Sequence, residues 1–269
     1  MVVFILMCVL ALFPVPAFAA PPDVMTIVKQ MKEVFESPRP STRKVEISLR
    51  SKGEEVHWVA RQARKEFPDG KRILMVMLAP DDVKGTAYMI AEPKTRPTRM
   101  WVYMPAIRRV RELAPVDVYE HFLGTDFTYA DLGFVRMHEN YRFLGEEQHA
   151  GVRAYKIEEQ VPKERLYYSR IITWVAADSK LPLERDYYDP AGMLWKRELF
   201  EEVTVIDGVP TPLRIKMEDL ESKSSTELNV SEVRYDQDIP DTLFEPERLP
   251  QSASHSLWHT LNAATTTKQ

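Results

Sequence analysis

Cysteine is all but missing from this chain. The one copy, Cys8, lies inside the apolar opening run, and Met7 stands where a lipoprotein signal needs a small residue. Beyond that run there is no thiol nucleophile, no disulfide and no Cys-bound metal, so the core must be held by burial alone. Glycine is scarce too, at 9 residues, and none of them builds a phosphate-cradling loop. No G-x-S-x-G elbow presents a serine. The six histidines are scattered, and only His255 and His259 have ligand-like spacing, beside Trp258 in a Ser-, Thr- and Ala-rich end that reads as a loose tail. The neighbouring carboxylates Glu146-Glu147 and Glu201-Glu202 flank turns or strands, where adjacent side chains point to opposite faces and cannot share one reaction. A net charge of −4 leaves no basic footprint for nucleic acid. No enzyme, cofactor or metal is expected.

Proline is plentiful by contrast, at 20 residues, which suits many short strands joined by Pro- and Asp-containing turns. The first residues form an apolar run closed by Pro14 and Pro16 and followed by Ala17-Phe18-Ala19, the small-x-small pattern read by signal peptidase. A cleavable signal over 1–19 is expected, with a mature chain starting near Ala20. No other segment is long and apolar enough to span a bilayer as a helix.

Asp23 can cap a helix running to Glu36, whose Val24, Ile27, Val28, Met31, Val34 and Phe35 form one apolar stripe before Pro38 and Pro40 stop it. The period then changes to two. Strands are predicted over 43–51, 55–67, 71–79, 86–91, 99–104 and 108–113. A second series runs over 141–144, 153–160, 167–177, 183–189, 194–206, 213–220 and 225–235, joined by hairpin turns. Between the series, 117–123 reads as a short helix stopped by Gly124, and Thr128 to Asp131 matches a capping box. One domain over 20–250 and a flexible tail over 251–269 are expected.

Three strands are apolar on both alternating faces: Ile73 to Leu78, Ala87 to Ala91, and Met100 to Met104. Two-sided burial normally belongs to helix-covered parallel sheets, which hairpin connections exclude. Two readings stand at this point. Either the sheet closes on its own core, or a curved sheet keeps an apolar inner face for a guest. Ile73, Met75, Met77, Met89, Met100, Val102 and Met104 are the residues expected to line that space together with the first helix. Unbranched thioethers conform to varied apolar partners. Arg108, Arg109 and Arg111, with Arg99 nearby, make a local basic patch, readable as a charge-protected edge strand or as a seat for an anionic headgroup or acidic partner.

The run from Met100 to Arg111, with its W-x-Y-x-P-x-x-R-R-x-R spacing, and the run Phe122-Leu123-Gly124-Thr125-Asp126-Phe127-Thr128-Tyr129-Ala130-Asp131-Leu132 resemble the outer-membrane lipoprotein-sorting proteins of the LolA-like superfamily. The resemblance covers roughly 24–249. It implies a mainly β (α+β) fold: an incomplete antiparallel β-barrel of ten or more strands, with an N-terminal helix and a short helical lid. It also implies a periplasmic carrier for lipid or lipoprotein acyl chains, and in some members an association with inner-membrane exporters of the resistance–nodulation–division type or with envelope signalling. A monomer is expected. Asp126, Phe127, Tyr129 and Asp131 are the expected gating residues, with Asp126 paired to Arg108, Arg109 or Arg111 across the mouth.

Overall fold

The computed structural model describes residues 23–95, 97–133, 140–161 and 167–253. The expected signal over 1–19, the tail beyond residue 253 and the pair His255/His259 lie outside the described residues. Asp23 caps α1 (Val24–Glu36), its carboxylate accepting from the Thr26 amide at 3.0 Å. The apolar stripe is buried at Ile27, Val28 and Met31.

Thirteen strands come after the helix. The first six are β1 (Ser41–Ser51), β2 (Glu54–Phe67), β3 (Gly70–Ala79), β4 (Ala87–Pro93), β5 (Arg99–Met104) and β6 (Arg109–Glu112). The second series is β7 (Tyr141–His149), β8 (Val152–Gln160), β9 (Arg170–Ala176), β10 (Pro182–Tyr188), β11 (Leu194–Ile206), β12 (Val209–Asp219) and β13 (Ser224–Tyr235). All belong to one antiparallel sheet, in the order β6-β5-β4-β3-β2-β1-β13-β12-β11-β10-β9-β8-β7. The two meanders are joined where β1 pairs with β13, and β6 and β7 are left as free edges. The incomplete barrel expected above is thus an open thirteen-stranded sheet.

The turn at Pro68-Asp69-Gly70 needs its glycine. Gly70 has φ +150°, and a Cβ there would lie 2.0 Å from the Glu92 carbonyl oxygen, so the β2–β3 hairpin can lie against β4 only without a side chain.

The sheet curls tightly. The N-terminal part of α1 packs Ile27, Val28 and Met31 on Tyr141, Ile157 and Val175 of β7–β9, while Lys32 further along reaches Glu92 of β4 at 2.9 Å. From β4 to β8 is nine strand spacings, about 43 Å on a flat sheet, yet thirteen helical residues are only about 20 Å long. The helix therefore bridges two walls of a trough.

Two-sided burial in β3–β5 has a cause other than the helix. Leu74, Val76, Ala87, Met89 and Trp101 face outwards and are covered by the segment after β13, through Ile239, Leu243, Phe244 and Leu249. That segment consists of two short 3-10 turns and the one-turn α2 (Leu249–Ser252). The opposite set, Ile73, Met75, Met77, Tyr88, Ile90, Met100 and Val102, faces the trough.

Candidate functional site

The residues from Ala114 to Gly133 cross the trough over β3–β5. The helix predicted for 117–123 is instead two 3-10 turns, Asp117–Tyr119 and Phe122–Gly124, separated by extended residues. Leu123 takes φ +52° and Gly124 φ +74°, a left-handed pair that turns the chain back. Thr128 and Asp131 bond reciprocally as the capping pattern requires: the Thr128 amide donates to the Asp131 carboxylate at 2.7 Å, and the Asp131 amide donates to Thr128 Oγ1 at 3.2 Å. The pair closes a tight turn, not the short helix expected from the pattern. The Tyr168 hydroxyl, just before β9, adds a 3.1 Å bond to Asp131.

This segment presses an aromatic cluster onto the inner face. Tyr88 lies 4.8 Å from Phe122 edge to face, and Tyr129 is 5.7 Å from both. Burial raises the Tyr88 and Tyr129 hydroxyl pKa values, so both stay neutral. Beneath the cluster lies a small apolar pocket between Ile73, Met75, Tyr88, Ile90, Met100 and Leu113, roofed by Phe122, Tyr129 and Leu132. Gln62 is the polar residue in its wall. On the other side of the segment, Ala130, Asp131 and Gly133 border a second, larger and more polar space, open to solvent, that Met31, Tyr141, Tyr168, Thr173, Arg185 and Tyr187 also line. The segment is a partition between the two.

Asp126 anchors the partition to the far wall. Its carboxylate accepts from Ser224 Oγ and, at 2.7 Å, from Thr226 Oγ1; its amide donates back to Thr226 Oγ1 at 3.0 Å. Lys196 Nζ donates to its backbone carbonyl at 2.7 Å and lies over the rings of Trp195 and Tyr167, 4.7 and 5.6 Å from their centres. Burial lowers the Lys196 pKa, opposed by Asp131, Asp219 and Asp126.

These contacts correct several expectations. Asp126 does not pair with Arg108, Arg109 or Arg111: it is buried on hydroxyls of β13, whereas Arg111 pairs with Asp117 and Arg99 with Glu112. Arg108 and Arg109 are exposed at the β5–β6 turn beside an edge strand, and make no ion pair among the described residues. Met89 borders the apolar pocket, yet its side chain packs in the outer cluster with Leu74 and Trp101, because its parity in β4 is opposite to that of Tyr88 and Ile90. Ile73, Met75 and Met100 do line the pocket; Met77, Val102 and Met104 continue the same inner face towards Phe122 and Phe127. The first helix is not part of that wall, since it packs on β7–β9. Sequence reasoning missed Tyr88, Ile90 and Phe122, although their strand parity and the flanking motif carried the signal. It also missed Lys196, Ser224 and Thr226, which no local pattern connects to Asp126.

A family model described only as that of an uncharacterized protein, "-like", matches residues 69–251, well over half the chain. A DUF1329 family protein from Desulfovibrio piger is 27% identical with a TM-score of 0.78, the match covering 84% of this chain and 97% of that one. An outer membrane lipoprotein-sorting protein domain from Vibrio parahaemolyticus shares the fold at TM-score 0.78 and 24% identity, over 84% and 97% of the two chains. A LolA superfamily protein from Nitrosomonas europaea does so at TM-score 0.67 and 20% identity, over 84% and 98%. This chain belongs to the uncharacterized family that this model describes, and it has the fold of the LolA-like structures. No curated protein matches its sequence.

Proposed function

We propose that this LolA-like protein is a periplasmic carrier that holds a lipid or lipoprotein acyl chain non-covalently, in service of outer-membrane lipoprotein sorting. The observation that carries the reading is the apolar pocket of Ile73, Met75, Tyr88, Ile90 and Met100 under an aromatic cover. That cover is held to the far wall by a few polar bonds at Asp126 and Asp131. An acyl chain gains about 0.8 kcal/mol per buried methylene, so modest displacement of Phe122, Tyr129 and Leu132 suffices to draw it in. Likeness in fold to a lipoprotein-sorting domain and a LolA superfamily protein supports the same reading. We read residues 20–250 as one binding domain, released after cleavage near Ala20, with 251–269 as a tail.

The second reading is an accessory protein that docks on an inner-membrane exporter or signalling complex, and it is favoured by how closely Phe122, Tyr129 and Leu132 already fill the pocket. Purification after export, followed by organic extraction and mass spectrometry, separates them. A stoichiometric acyl species is expected for the carrier. Its absence, together with no uptake of a fluorescent fatty-acid probe, would reject the carrier and leave the docking role.

A further inference from the structure

At one end of the apolar pocket the inner face becomes cationic. Arg43 and Arg64 have the same parity as Val45 and Ala60, which belong to the inner cluster. Arg43 is paired directly across from Gln62, and Arg64 across from Ser41, so the two arginines are diagonal neighbours on one face with Gln62 between them. Gln62 is the polar wall of the apolar pocket, and Arg64 lies directly opposite the wall residue Ile73 on β3.

Like charges in that relation repel, and the structure does little to neutralise them. Arg64 Nε donates to Gln62 Oε1 at 2.9 Å, and Arg43 donates from a terminal nitrogen to Ser41 Oγ at 3.1 Å. Among the described residues neither guanidinium forms an ion pair, and the buried Arg43 Nε has no hydrogen-bond partner. The nearby carboxylates are engaged elsewhere: Glu36 at the end of α1 with Lys32 and Lys71, and Glu92 with Lys32. Burial, and then the charge of Arg43, push the Arg64 pKa down to about 9, outweighing the opposing pull of Glu36 and Tyr235. Tyr235 of β13 hydrogen-bonds Arg43 and favours its charge, but it is a phenol rather than a carboxylate. An unpaired buried donor and two adjacent cations are costly to keep unless something binds there.

We propose that Arg43 and Arg64 form an oxyanion seat for the anionic head of an amphiphile whose acyl chain lies in the adjacent Ile73–Met75–Met100 pocket. This rests on the carrier reading and narrows it to ligands with a carboxylate or phosphate head. The planar guanidinium forks match either group with paired, charge-assisted bonds. Gln62, fixed by Arg64, would mark the boundary between head and tail.

The test uses the mature full-length protein and cis-parinaric acid, a fluorescent fatty acid, against its methyl ester. The acid is expected to bind more tightly than the ester by about tenfold or more, the scale of a lost charge-assisted bond. Arg43→Gln and Arg64→Gln should each bring the acid down to the ester's affinity and leave ester binding within about twofold. Competition by oleate against oleoyl lysophosphatidate then tells a carboxylate source from a phosphate source. Neither Arg→Gln change deprives a carboxylate of its partner, so melting temperatures should hold or rise; if a variant does not fold, the acid-to-ester ratio of the unaltered protein still decides. Equal binding of acid and ester would overturn the seat while leaving the carrier intact. Failure of both probes to bind would reject the carrier itself, and the seat with it.

Discussion

The ammonium group of Lys196 on β11 donates a 2.7 Å hydrogen bond to the backbone carbonyl of Asp126, a residue seventy positions earlier in the chain. This bond ties the trough's cover to its opposite wall, and the aromatic faces of Trp195 and Tyr167 shield it. A lysine is an expensive way to satisfy one carbonyl, because its charge must be taken out of water. The arrangement makes sense as a latch: strong enough to hold a loop, and with a charge that water will readily take back once the loop lifts.

Replacing that latch should therefore loosen the cover before it unfolds the sheet. For Lys196→Met we expect a loss of about 1–3 kcal/mol, the cost of leaving a buried carbonyl unsatisfied. Amide exchange in residues 121–131 should accelerate, while the β1–β2 and β1–β13 ladders keep their protection. Uniform acceleration across the sheet would show that Lys196 serves the fold as a whole rather than the cover.

Asp126 gives a sharper comparison. Because its carboxylate accepts from Ser224 and Thr226, Thr226→Val removes both a donor to the carboxylate and an acceptor for the Asp126 amide. A loss of about 1–3 kcal/mol is expected by urea unfolding. Changing Arg108 or Arg109 to Asp should leave stability within about 0.5 kcal/mol, as for most exposed surface positions. The variant Asp126→Arg should not be rescued by either reversal, which a double-mutant cycle would read as zero coupling.

Most of the architecture is legible without coordinates. Asp23 and Pro38 bracket α1, and short β-rich stretches between Pro, Asp and Gly turns mark the strands, three of them apolar on both faces. What escapes are relations that no period encodes. The joining of β1 to β13 brings ends of the chain together, and the segment from Ile239 to Leu249, made of one-turn pieces, carries no stripe to mark it as the outer cover of β3–β5. Without that cover, two-sided apolarity points to a single cavity and puts Met89 on the wrong face. The Arg43–Arg64 pair stays hidden when alternation in β1 and β2 is read for its apolar members alone.

The outer cover yields a stability prediction. Phe244 is buried against Phe67, with ring centres 5.5 Å apart, in the cluster of Leu74, Val76 and Met89. Phe244→Ala should cost about 3–5 kcal/mol. Truncation after Pro240 should expose the whole outer patch and bind a hydrophobic dye, with aggregation on concentration. A truncated chain that stays monomeric and dye-silent would mean that the segment does not shield this face in solution.

A pH effect arises from Glu198, buried on β11 beside Arg185 and the Tyr187 hydroxyl, which donates to it at 2.6 Å. Burial raises its pKa above the ordinary 4.5, against the pull of Arg185 and Tyr187. Below that ordinary value the carboxyl is protonated in both folded and unfolded chains, and its contribution to stability is fully present. As pH rises from there through the raised folded value, the unfolded chain releases its proton first and the contribution is lost. Glu198→Gln cannot titrate, so the stability of the unaltered protein relative to this variant should fall with pH across that window. Urea unfolding at a series of pH values measures the slope; a flat or rising difference would mean that Arg185 outweighs burial.

The final prediction separates the two faces of the methionine-rich strands. Met89 and Met100 sit on neighbouring strands, are comparably buried, and belong to opposite clusters. Truncating either to alanine removes similar volume, so both variants should lose about 2–5 kcal/mol. Their effects on an acyl ligand should differ. Met100→Ala deepens the inner pocket by roughly the volume of two or three methylenes, and each further methylene buried adds about 0.8 kcal/mol. The preferred chain length, read from a series of fatty-acid probes, should move up by about that number of carbons. Met89→Ala opens space beneath Phe244 instead, which no chain in the trough can reach, so its chain-length preference should match the unaltered protein. Equal shifts in the two variants would mean that ligand and outer cover share one cavity; no shift in either would place the acyl chain beyond the partition, against Met31 and Tyr141.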